Sequence, residues 1–368
     1  MMIARPFLPG KWLSTMLMPG ILWTRTLQRK IWVLIMSLAL FASHLATAEV
    51  ARHRLTSEAI AVEITPDIGG RLLSANLVGQ PNILLVGDAV TAMPDPPVSP
   101  ESVNIGYLGH EVWVGPQSEW WVHQSLNQAR REARAVWPPD PYLVLAKNKL
   151  VEKSARQITL QGSESPISGV AMQKQFALVE GKSNQLELTV SAQNIRDTQV
   201  AWDIWFNTRV PHTSFVYVPV KSLDDVRIEH LTDTAYGPLA QDYHEGIFSL
   251  KNHASGQKGR KGKVFIQPSQ GWLAAFRDQQ VLIIAFDLQP KNRIHPEQGQ
   301  VELYQEFLND RPAQGLLELE VHAAYKPLKP QEIMSASELW TLLPYTGAHT
   351  QQAHHEFLRK LMDAGELK

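Results

Sequence analysis

The chain has 368 residues, of which 44% are hydrophobic and 19% charged, with a net charge of −1 and no cysteine. The missing cysteines exclude a disulfide framework, a thiolate nucleophile and a zinc–thiolate site. The balanced charge excludes the basic footprint of a nucleic-acid-binding protein.

In chain order, Arg25, Arg29 and Lys30 precede an apolar run from Ile31 to Leu45, followed by Ala46-Thr47-Ala48. This three-part pattern predicts a secretory signal, residues 1–48, cleaved after Ala48. The run is shorter than the roughly 20 residues of a membrane span, so no stable span is expected after cleavage. Removal takes five basic residues and no acidic one, leaving 320 residues with 30 basic against 36 acidic, net −6. The expected location is outside the cytoplasm: the periplasm where the cell has two membranes, otherwise the medium. Residues 49–368 read as a single domain.

Leu55, Ile60, Val62 and Ile64 alternate with polar residues up to Pro66-Asp67-Ile68-Gly69-Gly70, and Arg71 to Leu77 follows. That predicts strand, tight turn, strand. Further β-type runs are Ile83 to Val86, Tyr142 to Ala146, Gln157 to Leu160, Val170 to Val179, Gln185 to Ala192 and Val200 to Thr208. The second half continues with Phe215 to Val218, Gly246 to Leu250, Lys263 to Ile266, Gly271 to Phe276, Val281 to Leu288, Val301 to Phe307 and Leu316 to Ala324. So many short strands predict an all-β sandwich or barrel. Thr91 to Ser102, with four prolines, reads as an extended connection, and Leu126 to Ala135 as a short helix or polar loop. The basic cluster Lys258 to Lys263 reads as an exposed loop because glycines interrupt it. Gln351 to Met362 has helical spacing and predicts a short C-terminal helix; its His354 and His355, with His349, read as a surface patch rather than a metal site.

The segment Gly109 to Trp121 places three tryptophans, two glutamates, a histidine and a glutamine in thirteen residues. Indole faces stack on a flat apolar ligand face while the polar groups bond its edge, as in a sugar-sized site. A structural corner of a β-protein is the competing reading. From Val200 onward, Asp203, Trp205, Asn207 and Arg209 share one strand face, either lining a groove or forming an ordinary open sheet face. Glu302, Tyr304 and Glu306 likewise share a face.

Together, Ile64-Thr65-Pro66-Asp67-Ile68-Gly69-Gly70-Arg71, Gly109-His110-Glu111-Val112-Trp113 with Pro116-Gln117, and Leu317-Glu318-Leu319-Glu320 resemble the galactose mutarotase-like superfamily, in particular its exported bacterial members. The resemblance extends to Pro327-Leu328-Lys329-Pro330 and Trp340. It implies a large antiparallel β-sandwich with a sugar-binding groove on the concave face of one sheet. It further implies opening and closing of a sugar hemiacetal by a carboxylate on a late strand, here Glu302 or Glu306, and a histidine acid. Mutarotases carry an Asn-His pair after the position of Asn194; this chain reads Ile195-Arg196-Asp197-Thr198 instead, leaving His110, His212 or His244 as acids, with His110 the one inside the motif. Expected ligand contacts are Arg71, Trp113, Gln117, Trp121, Trp205 and Arg209, with Arg71 equally readable as a structural ion pair. No metal or cofactor is expected. HExxH, serine-elbow and phosphate-loop motifs are absent from the sequence. Three functions remain open: a sugar epimerase-like or glycan-acting enzyme, a non-catalytic glycan-binding module, or a structural envelope protein.

Overall fold

The computed structural model describes residues 49–251, 258–308 and 315–367. The expected leader at 1–48 lies outside the described residues. Two large sheets dominate, one of eleven strands and one of ten. The first runs in the order His53–Thr56, Ile60–Thr65, Arg71–Leu77, His110–Gly115, Val200–Pro211, Leu316–His322, Val301–Phe307, Gly259–Ile266 and Val226–His230, with two short strands beside it. The second runs Gln241–His244, Ile247–Leu250, Phe215–Pro219, Trp272–Arg277, Gln280–Phe286, Ile333–Pro344, Gln185–Asn194, Val170–Leu178, Gln157–Glu164 and Lys149–Lys153. All pairings along both orders are antiparallel. This is the expected antiparallel β-sandwich with a short C-terminal helix.

The two sheets enclose one continuous apolar core, including Ile204, Phe206, Leu188, Val190, Leu319 and Trp340. Along Val170–Leu178 burial alternates from residue to residue, as a half-exposed sheet requires. Val200–Pro211 departs from that rule, being buried on both faces over most of its length. Its outer face is covered by the long excursion between His110–Gly115 and Lys149–Lys153, whose Trp120 stacks on Trp205 at 5.7 Å between centroids. That cover turns one outer sheet face into a recess.

Several local expectations change. Tyr142 to Ala146 is not a strand: Pro141–Val144 is a single helical turn, because Pro141 sits at its start and Asp140 accepts a hydrogen bond from the Tyr142 amide at 2.9 Å. Ile83 to Val86 forms no strand and makes one bridge, Val86 to Leu108. The basic cluster is not an exposed loop but the start of the strand Gly259–Ile266, hydrogen-bonded on both sides, with Lys261 and Lys263 neutralised by glutamates across the sheet. The polar segment does form a helix, Gln128–Glu132, capped by Asn127. The C-terminal helix Gln351–Asp363 packs on the second sheet. Its His354 and His355 are buried rather than on the surface, and the His354 ring stacks on Phe276 at 4.0 Å.

The early turn locks the sheets together. Lys174, fully buried in the second sheet, donates to the Gly69 carbonyl, and burial pushes its ammonium pKa down to about 7. Gly69 has φ +77°, and a Cβ there would lie 2.5 Å from the Val144 carbonyl oxygen. Gly79 has φ +84° with open space around it. Gly79→Ala should therefore lower unfolding free energy by about 1–2 kcal/mol from the left-handed backbone alone. Gly69→Ala should cost clearly more in the same denaturant titration, because the clash adds to the strain.

Candidate functional site

Strand register builds the recess row by row on the outer face of the first sheet. Trp113, Trp205 and His322 stand opposite one another across three strands. The next row is Glu111, Asn207, Glu320, Glu302 and Phe265. Beyond it come Arg209, Glu318, Tyr304 and Lys263, then Leu316, Glu306 and Lys261. Over these rows lies a groove of about 790 Å³, whose lining includes Trp113, Gln117, Trp137, Trp205, Arg209, His230, Tyr304, Glu306, Glu318 and Glu320. Trp113 packs edge-on to Trp205 at 4.8 Å and to Trp137 at 6.1 Å, so three indoles form one wall. Trp137 is 51% exposed, the most accessible of the three.

Two charge networks lie in the floor. In the first, Glu111 accepts from Arg71 Nη2 at 2.6 Å and from Arg209 Nη1 at 2.5 Å, and Arg209 Nε reaches Glu318 at 2.8 Å. Burial opposes ionisation of Glu111, but the two guanidinium groups outweigh it and hold the carboxyl at about 2. Arg71 spends its other donors on the carbonyls of Leu108, Val144 and Ile68. It is thus the structural ion pair of its two readings, and it stands behind the groove rather than in it.

The second network centres on Lys263, whose ammonium pairs with Glu302 at 2.5 Å and Glu320 at 2.9 Å and lies 4.7 Å from the Trp205 ring centre. His322 Nε2 is 3.6 Å from Glu302 Oε1, and its Nδ1 is 3.4 Å from Asp203 and 2.9 Å from Gln298. Burial raises both carboxyl groups. For Glu302 the Lys263 and His322 charges reverse the shift and keep it ionised, whereas for Glu320 burial and the neighbouring Glu302 prevail and its pKa rises. Burial would lower His322, yet Glu302 and Asp203 raise it to about 9. Glu306 stands apart and half exposed, bonded to Lys261 at 2.8 Å and to the Tyr304 hydroxyl; burial opposes ionisation, but these partners hold it below the usual carboxylate range.

Of the residues expected from sequence, Glu306, Trp113, Gln117, Trp205 and Arg209 line the groove. Glu302 is buried one step below, tied to it through Lys263. His110 and Trp121 are corrections. His110 precedes Glu111 in a strand, so it points to the opposite face, between the sheets, bonded to Thr208 at 2.8 Å and edge-on to Trp340 at 5.1 Å. Burial drives its pKa well down, and it is not placed to protonate a ligand in the groove. Trp121 is fully buried, with its indole N–H on the Pro138 carbonyl and Arg130 over its ring at 4.4 Å. It is structural filler of the excursion. His244 belongs to the second sheet. Sequence reasoning missed Lys263, Glu318, Glu320, His322 and His230. The Glu318-Leu319-Glu320-Val321-His322 alternation was the available signal, since period two puts all three polar groups on one face.

Removing Glu111 leaves two buried guanidinium groups facing each other. Glu111→Gln should lower unfolding free energy by about 3–5 kcal/mol. Because the folded pKa is depressed from 4.5 to about 2, the wild-type stabilisation is complete above pH 4.5 and falls away as pH drops towards 2. Denaturant titrations across that window should show a shallower acid limb in the variant.

Among solved structures, the chain is similar to the Slr1438 protein from Synechocystis sp. PCC 6803, with 12% identity over 81% of this chain and 98% of that one and a TM-score of 0.49. It is also similar to a galactose mutarotase-like protein from Lactobacillus casei ATCC 334, with 9% identity over 80% and 100% of the two chains and a TM-score of 0.49. A GalM/aldose epimerase homologue from C. elegans gives 11% identity over 80% and 100% and a TM-score of 0.48. No curated protein sequence matches significantly. The model of one family, described as a domain of unknown function (DUF4380), matches residues 50–343, both sheets without the terminal helix, and the chain belongs to that family.

Proposed function

We propose that this is an exported, carbohydrate-directed protein that takes a sugar or glycan into the groove on the first sheet. The observation that carries the reading is the pairing, in one concavity, of the indole wall Trp113, Trp137 and Trp205 with Arg209, Glu318, Tyr304 and Glu306. The half-exposed Trp137 indole suits the C–H face of a pyranose, with Trp113 and Trp205 packed almost fully buried behind it, and the polar groups opposite suit its hydroxyls. Arg209 is already neutralised by Glu111 and Glu318, and Lys261 by Glu306, so the wall offers fixed hydrogen-bond groups with little spare positive charge. A neutral polyhydroxyl ligand fits such a surface better than an anion.

The test is calorimetry of the mature protein against a broad panel of neutral mono- and oligosaccharides. Trp137→Ala, a change at an exposed side chain, should weaken binding of a positive ligand at least about tenfold with little change in melting temperature. No saturable binding by the wild type anywhere in the panel would sink the reading.

A second reading, aldose 1-epimerase-like isomerisation, is favoured by Glu306 and His230 lining the same groove. Hemiacetal opening needs a base for the anomeric hydroxyl proton and an acid for the ring oxygen, and a carboxylate and a histidine of one cleft supply that pair. Polarimetry of freshly dissolved sugars should then show mutarotation that falls at least about 100-fold in Glu306→Gln. Binding that survives Glu306→Gln, with no turnover in the wild type, assigns a non-catalytic module instead. The export part of the proposal predicts a mature chain beginning at Glu49, which intact-mass measurement of the purified cellular protein checks.

A further inference from the structure

We propose that Glu302, Glu320 and His322, in the floor beneath the groove, bind one borderline first-row divalent cation of the Zn²⁺ or Mn²⁺ type. This departs from the sequence expectation of no metal, and it does not depend on the sugar reading. Glu302 and Glu320 are direct cross-strand partners, and His322 lies two residues beyond Glu320 on the same face. One donor atom from each of the three falls within 4.8 Å of the others. Three donors held around one ion at about 2.0–2.2 Å lie about 3.3–3.8 Å from one another, so the side chains need to draw in by at most about 1.5 Å, within reach of rotamer adjustment. Two carboxylates and one imidazole form a mixed O and N set, which suits such ions.

Lys263 competes with the cation less than its position first implies. It takes Oε2 of both glutamates. Glu320 Oε1 is buried with no hydrogen-bond partner, His322 Nε2 makes only its 3.6 Å approach to Glu302 Oε1, and that oxygen also accepts from the Gly299 amide at 2.9 Å. One oxygen of each glutamate and the imidazole Nε2 thus lie off the ammonium.

Independent support comes from the surroundings. Asn207, the cross-strand partner of Glu320, is fully buried with neither amide atom bonded, an arrangement that costs free energy unless a ligand or its water shell completes it. Behind the imidazole, Asp203 Oδ1 lies 3.4 Å from Nδ1, and the Gln298 amide, whose oxygen is unpartnered, lies beside it. Turning that amide over puts its oxygen on Nδ1, and either acceptor then fixes the tautomer that presents Nε2 to a metal.

The experiment uses the full mature chain after chelator treatment, titrated with ZnCl₂ and separately with MnCl₂ by calorimetry, with bound metal counted by elemental analysis. One ion per chain and a melting temperature that rises with metal concentration are expected. Glu320→Gln and His322→Gln should each weaken binding at least about 100-fold, while His123→Gln, which removes a surface histidine beside Glu119, should leave it unchanged. Lys263→Met provides a separate check if those variants fold poorly. It removes the neighbouring positive charge, so it should bind at least about tenfold more tightly and depend on metal for its stability. Absence of stoichiometric binding of both ions by the wild type overturns the proposal. So does undiminished binding in folded Glu320→Gln and His322→Gln, or a Lys263→Met protein indifferent to metal.

Discussion

The buried carboxylate of Glu111 and the two guanidinium groups that hold it organise the rest of this structure. Three ions removed from water are tolerable only when all are in place, since the loss of one leaves an uncompensated buried charge. Glu111 sits in the tryptophan-rich strand, Arg71 at the end of the early glycine turn, and Arg209 on the long central strand, so satisfying the network brings three distant parts of the chain into register. A slip of one residue in His110–Gly115 would turn Glu111 into the apolar space between the sheets, strand Arg71 and leave Arg209 with Glu318 alone. The same contact orients Arg209 under Trp113, 5.0 Å from its ring centre, and so shapes the groove wall. Packing and site geometry thus share one cause.

A second network repeats the logic three strands across, with the sign reversed. There Lys263 stands between two glutamates, with His322 beside Glu302, and Asp203 adds a third carboxylate behind the imidazole. Arginine in the first network uses a planar fork that satisfies two carboxylates with several bonds, whereas a lysine ammonium is a compact point charge. This cluster is therefore left with unpartnered oxygen and nitrogen atoms, while the Glu111 carboxylate has both oxygens occupied. The two networks thus differ in polar satisfaction. Glu306 and Tyr304, both partly exposed, line the groove together with Trp137.

Much of the fold was legible because period-two alternation and turn residues act locally: the early hairpin, the strands Val170–Leu178 and Val301–Phe307 and the terminal helix all lie where pattern put them. The failures have local causes too. Tyr142 to Ala146 looks β-like by side chain, but an aspartate cap and a proline start a helical turn there. Gly259 to Lys263 looks like a loop by composition, yet glycines also serve where neighbouring strands approach closely, and the lysines find glutamates only across the sheet. Histidines at 354 and 355 look solvated on a helix until Phe276 and Tyr217 of the second sheet cover them.

The sequence by itself determined which residues share a strand face: Trp205 with Asn207 and Arg209, Glu302 with Tyr304 and Glu306, and Glu111 opposite to His110. Those relations follow from backbone geometry within a single strand and need no partner. Only the tertiary structure decided which faces meet. It assigned Arg71 to Glu111 rather than to a ligand, sent His110 into the core, and brought Lys263 and His322 to Glu302. Such choices depend on strand order and on the desolvation of charges by distant segments, and neither is encoded in any local run of residues.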